Sequence, residues 1–147
     1  MAAHIIHNSD RLLQVAIAII ERGEHVLIGH RPHRAGDHIG GYWEFPGGKR
    51  HVGESWEACL RREVREELGV SIHRLRRLGR LRYRYPTHRV VFCIFRCNIA
   101  AGQPRPLSAQ TLRWVARRQL RRYQFPAANA PLVAQLAGAS SRRRVLK

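Results

Sequence analysis

Three glutamates, Glu63, Glu66 and Glu67, stand at i, i+3 and i+4 in a stretch that reads as helix, so their carboxylates share one face. Like charges at that spacing repel by a few tenths of a kcal/mol per pair on an open helix, and something should offset the repulsion. Hard divalent cations take carboxylate oxygens, and Mg²⁺ is commonly shared between a few carboxylates and substrate phosphates. The helix that positions the three glutamates is legible at both ends. Ser55 can cap its start, Glu57 in the first turn suits the positive end of the dipole, and Gly69 is a natural stop. Between them Trp56, Leu60, Val64 and Leu68 recur at every fourth residue as an apolar stripe on a different face. Clustered glutamates on a helix usually mean no more than a solvated face. Here five of the ten carboxylate side chains of a very basic chain fall between residues 48 and 70, and their surroundings say more.

The stretch fits the pattern Gx5Ex7REUxEExGU, with U aliphatic, at each fixed position: Gly48, Glu54, Arg62, Glu63, Val64, Glu66, Glu67, Gly69 and Val70. Nine specified positions in 23 residues make a specific motif. On these residues the chain resembles the Nudix hydrolases. The resemblance implies hydrolysis of a pyrophosphate bond in a nucleoside diphosphate linked to another group, with Mg²⁺ or Mn²⁺. It implies that Glu63, Glu66 and Glu67 hold the cation together with the backbone carbonyl of Gly48, and that Glu54 and Arg62 pair and orient the site. The string Trp43-Glu44-Phe45-Pro46-Gly47-Gly48-Lys49 resembles the MutT-like branch of that family.

The motif fixes a reaction type but not a base. Residues 125–136, beginning Phe125-Pro126-Ala127-Ala128-Asn129, look like the C-terminal segment of MutT-type 8-oxo-dGTP diphosphatases, in which an asparagine matching Asn129 reads the oxidised guanine edge. A side-chain amide offers both a donor and an acceptor, so it can make two directed bonds to a purine edge. Asn129 could equally cap the helix that follows, and the two roles are compatible. Arg31, Phe45 and Tyr85 fall where the resemblance implies an arginine and aromatics near the nucleotide, and His88 stands where relatives have an arginine. Lys49 and Arg31 could neutralise phosphates. One departure concerns catalysis. Many MutT-like proteins supply a further glutamate from the loop before Trp114, whereas residues 106–110 here contain no carboxylate; Ser108 sits near the position and Gln110 carries a carbonyl oxygen. The general base is then Glu54 or a motif glutamate, or the loop contributes only waters, and turnover slower than in typical members is expected.

The other elements must bring these residues together. Residues 11–20 read as a strand, with Val15, Ile17 and Ile19 alternating against Ala16 and Ala18. Residues 21–24 read as a turn, 25–29 as a second strand, and 34–41, with three glycines, as a mobile loop. A short strand fits 43–45. After the motif helix, 71–85 is extended, with Leu81, Tyr83 and Tyr85 alternating with an outer face of Arg80, Arg82 and Arg84. Residues 90–99 form an apolar central strand, 112–115 a short one, and 117–122 a helical turn. A last helix has Pro131 in its first turn and Leu132, Val133 and Leu136 facing the core. Strands alternating with two helices argue for an α/β fold with a mixed, partly antiparallel sheet between helices. The Nudix resemblance specifies an α/β/α sandwich, expected as one domain over 1–139 with a basic, disordered tail over 140–147.

A chain of 147 residues with 44% apolar content can bury a real core as one domain. It has no apolar run of membrane-spanning length, and residues 1–10 lack the apolar core of a signal peptide. Cys59, Cys93 and Cys97 have no metal-type spacing and read as reduced core residues, which suits a cytoplasmic protein. The net charge of +17 is almost all arginine, spread along the chain. With no nucleic-acid recognition motif beside it, scatter and attraction of an anionic substrate are expected, with no stable nucleic-acid complex and no oligomer. The reading is hydrolysis of 8-oxo-dGTP to 8-oxo-dGMP and pyrophosphate, which removes a mutagenic precursor of DNA synthesis. The alternatives are a pyrophosphohydrolase of (d)CTP or nucleoside triphosphates in general, and a non-catalytic regulatory or nucleic-acid-binding domain. Clustering of arginines on one face would favour the last.

Overall fold

The computed structural model describes residues 11–33 and 41–138. The expected mobile loop, save Gly41, and the basic tail lie outside the described residues. The elements are β1 (Leu12–Arg22), β2 (His25–His30), β3 (Trp43–Glu44), β4 (Gly47–Lys49), α1 (Trp56–Leu68), β5 (Ser71–Arg84), β6 (Arg89–Ala101), β7 (Thr111–Ala116), 3-10 turns at Arg117–Arg122 and Ala127–Asn129, and α2 (Ala130–Gly138). One seven-stranded mixed sheet has the order β3-β2-β1-β6-β5, with β4 also pairing with β1 and β7 with β2. β1 and β6 run parallel and the other pairs are antiparallel.

β1 is the axis of the molecule because both of its faces are buried. Ala16, Ala18 and Ile20 face α1, together with Cys59, Leu60, Val64 and Leu68 of that helix and Cys93, Phe95 and Cys97 of β6. Ile17 and Ile19 face the opposite layer, with Phe45, Ile94, Leu120, Leu132 and Leu136. The alternation along β1 is therefore one of size: the two alanines leave room for α1 to approach the sheet, and the isoleucines fill the wider gap under α2. The stripe of α1 faces the sheet as its period predicts, with Trp56 only partly covered at the helix start.

Two sequence expectations are corrected. Glu21 and Arg22 belong to β1, paired with Val26 and His25, and the turn is only Gly23-Glu24. Glu21 stays in the strand because its carboxylate accepts from Arg96 Nε at 2.6 Å and lies 3.5 Å from Arg117, which ties β1 to β6 and to the 3-10 turn. β5 is not a regular strand: its register shifts between His73 and Arg76 and again between Arg77 and Gly79, with Arg74 at φ 55°. Beyond the Arg77–Gly79 shift, Leu81 and Tyr83 sit opposite Phe92 and Val90, while Arg80 and Arg82 sit opposite Cys93 and Val91 on the α1 side.

Candidate functional site

The site is assembled where β4 meets the flank of α1. The helix is capped as its sequence predicts. Ser55 Oγ accepts from the Ala58 N–H at 3.0 Å, and Gly69, left-handed at φ 70°, donates its N–H to the Arg65 carbonyl at 2.9 Å. β4 lies against β1 at Ala16 and Ile17, and there the two glycines are required for different reasons. Gly47 has φ 149°, and a Cβ on it would strike the Ala16 carbonyl. A Cβ on Gly48 would strike the Glu63 carboxylate. The backbone of β4 can therefore touch the carboxylates of α1 only because both side chains are absent.

Arg62 is the hub. Its Nε donates to Glu54 Oε2 at 2.8 Å and its Nη2 to Glu54 Oε1 at 2.9 Å, a fork-to-fork pair. Nη2 also reaches the Lys49 carbonyl at 3.0 Å, and Nη1 reaches Glu63 Oε1 at 2.7 Å and Glu66 Oε2 at 3.4 Å. Glu54 accepts in addition from the His51 N–H at 3.0 Å. The Arg62 bond, and then the His51 bond, hold the Glu54 carboxyl down to about 2. Arg62 is correspondingly held above its ordinary value by Glu54.

Glu67 is placed differently. It is half-buried, accepts from the Gly47 N–H at 3.3 Å, and lines a small cavity of about 20 Å³ with Glu44, Phe45, Ser108 and Ala109. Burial raises its carboxyl to about 8; the Gly47 bond opposes the rise, and the nearby Glu63 and Glu44 carboxylates add to it. The three glutamates thus lie on one flank of α1, with Glu63 and Glu67 close together and Glu66 more exposed. Among the described residues no group of three histidine, cysteine or acidic side chains is arranged to hold a metal ion. Arg62 donates to Glu63 and Glu66, while Glu67 accepts from the Gly47 N–H. The donor set nonetheless fits a hard divalent cation, since it consists of carboxylate oxygens beside a glycine backbone and holds more negative charge than its setting tolerates without a proton.

The loop after β6 is fastened to the end of this helix. Arg105 N–H donates to the Leu68 carbonyl at 2.9 Å and Leu107 N–H to the Glu67 carbonyl at 3.1 Å. Ser108 consequently shares the Glu67 cavity, whereas Gln110 is drawn away to His30, its Oε1 lying 3.3 Å from Nδ1. Glu44 was missed from the sequence. It supplies a carboxylate to the same cavity, and its signal was its place on the short strand leading into Pro46-Gly47.

The base-binding candidates divide. Phe45 is buried and stacks on Phe125, with centroids 4.8 Å apart and planes at 21°. Asn129 is buried at the end of a 3-10 turn that runs directly into α2, its own N–H donating to the Pro126 carbonyl at 2.9 Å. Both belong to the α2 side of the sheet, where a row of Leu81, Phe92 and Val15 crosses three strands and ends beside Lys49 of β4. Arg31 lies 3.8 Å from Glu44 and is thereby brought to the edge of the carboxylate site. Tyr85 stacks on His88 at 4.8 Å and meets Tyr83 edge-on at 4.8 Å; the described contacts do not bring it to Phe45 or Phe125.

The chain matches the NUDIX domain model over residues 10–136. It is 35% identical over 126 residues to an 8-oxo-dGTP diphosphatase of Haemophilus influenzae, covering 86% of this chain and 92% of that protein. It is 43% identical to a CTP pyrophosphohydrolase of Escherichia coli, but over only 61 residues, 42% of this chain and 44% of that protein. Among solved structures, a MutT from work on Aliivibrio salmonicida and Vibrio cholerae superposes with a TM-score of 0.68 at 31% identity, covering 86% of this chain and 98% of that one.

Proposed function

The chain belongs to the Nudix hydrolase family, and from that membership we propose that it hydrolyses 8-oxo-dGTP to 8-oxo-dGMP and pyrophosphate with Mg²⁺, or Mn²⁺ in its place. The observation that carries this reading is the distance between two surroundings. Phe45 belongs to the apolar wall that includes Phe125, and Gly47-Gly48 touch the carboxylates of α1. From Phe45 to Gly48 is at most three residues of extended chain, about 10 Å. A purine on the wall therefore presents its phosphates to the carboxylates. The E. coli CTP pyrophosphohydrolase leaves a pyrimidine reading open, but its match ends short of half the chain, while the 8-oxo-dGTP diphosphatase match spans nearly all of it.

Glu63, Glu66, Glu67 and the Gly48 carbonyl would hold the divalent cation, which when bound neutralises phosphate charge and makes water more acidic. The remaining roles belong to side chains. Glu54 is a positioning residue: both its oxygens are committed to Arg62 and the His51 N–H, and a carboxyl held at about 2 takes up a proton poorly. The proton acceptor is then one of the α1 glutamates. Arg62 offsets the charge of that cluster, and Glu63 and Glu66 would share their oxygens between it and a bound cation. Lys49 and Arg31 stand at two edges of the site as phosphate partners. Asn129 reads the oxidised edge: oxidation at C8 makes N7 a donor, which the side-chain carbonyl can accept. The three buried, unpaired cysteines suit a reducing compartment, and the cell role we assign is cytoplasmic cleansing of the DNA-precursor pool. The test is pyrophosphate release with Mg²⁺ from a panel of normal and oxidised nucleoside triphosphates. Higher kcat/KM for 8-oxo-dGTP than for dGTP, dCTP and CTP supports the reading; a preference for CTP or dCTP overturns it.

A further inference from the structure

The arginines of β5 are not scattered. Arg80, Arg82 and Arg84 alternate along the last turn-free stretch of the strand, opposite Cys93, Val91 and Arg89 of β6, whose partners on β1 are Ala16, Gln14 and Leu12. This is the face that α1 covers further along the sheet. The helix begins only at Trp56, and it leaves the corner open as a groove of about 270 Å³. Among the described residues its lining includes Arg80, Arg82, Arg84, Arg89, Gln14 and Trp56, and no carboxylate. At its rim Arg50 lies 5.2 Å over the Trp56 ring, fixed through Nε to Gln14 Oε1 at 2.9 Å and through Nη1 to the Glu54 carbonyl at 2.7 Å. The groove lies on the face of the sheet opposite to Phe45, Phe125 and Asn129, so the nucleotide assigned to that side does not fill it.

We propose that this groove binds a single-stranded polynucleotide, its phosphates on the arginine row and its bases toward Trp56. Successive arginines of the row are two strand residues apart, roughly 7 Å, close to the distance between successive phosphates of an extended polynucleotide strand. Guanidinium groups pair with phosphate oxygens through two parallel bonds. A free phosphate or a single nucleotide could use one or two of them, whereas a strand uses the row. An acidic peptide in extended conformation would have a similar period. What favours a polynucleotide is the Trp56 indole in the lining, whose ring can stack on a base while its electron-rich face repels a carboxylate. The inference revises the expectation of no nucleic-acid partner, and it does not depend on which nucleotide is hydrolysed.

The experiment uses the full chain and a labelled oligothymidylate, with binding followed by fluorescence anisotropy from low to physiological salt. Two double variants that change the charge equally are compared. Arg80→Glu with Arg82→Glu alters the groove; Arg118→Glu with Arg122→Glu alters exposed arginines elsewhere. The groove variant should bind at least about tenfold more weakly, and its plot of log affinity against log salt should flatten by roughly 1.4, since each lost single-strand phosphate contact removes roughly 0.7. The distant variant should lose less than about threefold, and nucleotide hydrolysis should be unchanged in both. If melting shows the groove variant unfolded, Arg82→Gln with Arg84→Gln takes its place, with a flattening of the same sign. Equal losses in the two doubles would reduce the effect to bulk charge and overturn the proposal. So would failure of the wild type to bind the oligonucleotide, or equal binding of polyglutamate.

Discussion

Replacing Glu67 by glutamine should make the metal-free protein more stable in alkaline solution while removing its activity. The Glu67 carboxyl ionises near 8 in the folded chain against 4.5 in an ordinary setting, chiefly because it is buried. Below about pH 4.5 the acid is protonated in both folded and unfolded chains, and its contribution to stability is fully present. Between 4.5 and 8 the unfolded chain binds fewer protons than the folded one, so stability falls as pH rises, and the loss is complete only above the folded value. At about 1.36 kcal/mol per pKa unit the loss by pH 8 is on the order of 4 kcal/mol. For a domain of this size that is a fall in Tm of about 10 °C. Glu67→Gln keeps the shape, cannot ionise, and should lack this slope. The assay is thermal unfolding in excess chelator from pH 5 to 9, for wild type and variant. Mg²⁺ should restore the wild type at high pH and do little for the variant. Parallel pH profiles for the two proteins in chelator would refute the reasoning, because the buried carboxyl would then not be the group that titrates.

Three further outcomes are expected. Folded Glu67→Gln should turn over at least ~10²-fold more slowly, the scale of a lost metal or proton-transfer role; kcat with saturating Mg²⁺ measures it, and a near-normal rate would remove Glu67 from the machinery. Asn129→Ala should collapse a preference for 8-oxo-dGTP over dGTP that one gained bond and one relieved mismatch put at roughly 30- to 1000-fold. Steady-state kcat/KM for both nucleotides reads this, and a ratio unchanged by the substitution would return Asn129 to a packing role. Gly48→Ala should displace Glu63 and weaken Mg²⁺ activation by tenfold or more, with a smaller change in melting, since the added Cβ meets the carboxylate rather than the core; an unaltered Mg²⁺ titration would contradict it.

Much of the site was legible because its residues are local to one helix and one turn. Ser55, Gly69, the apolar stripe and the three glutamates are all within a single 23-residue motif whose periodicity is a property of α-helix alone. Less could be read of what depends on a partner's position. Sequence spacing could not tell that the Arg62 guanidinium would reach both Glu63 and Glu66, nor that Glu67 would accept from the Gly47 N–H, because both depend on where β4 and the side chains come to lie. Glu44 escaped notice for a related reason: only the folding of the 105–110 loop onto the end of α1 brings Ser108 and Glu44 to one cavity. That Arg80, Arg82 and Arg84 share a face was legible from their alternation; that this face is the one α1 covers further along is decided by the register shift between Arg77 and Gly79, and bulges leave little trace in composition.

The parallel ladder between β1 and β6 has a consequence for how the chain comes off the ribosome. β1 pairs with its neighbour in sequence, β2, at only two positions, while its nine-position ladder is with β6, more than half the chain away. Contacts so distant along the chain form late and slowly. Until β6 has emerged, β1 lacks its main partner, β4 has no settled strand to lie on, and Gly47 and Gly48 have nothing to press against α1. A nascent chain that already contains the whole glutamate motif is therefore expected to be inert, and a premature stop before residue 89 should leave a fragment that is both inactive and prone to aggregate through the exposed edge of β1.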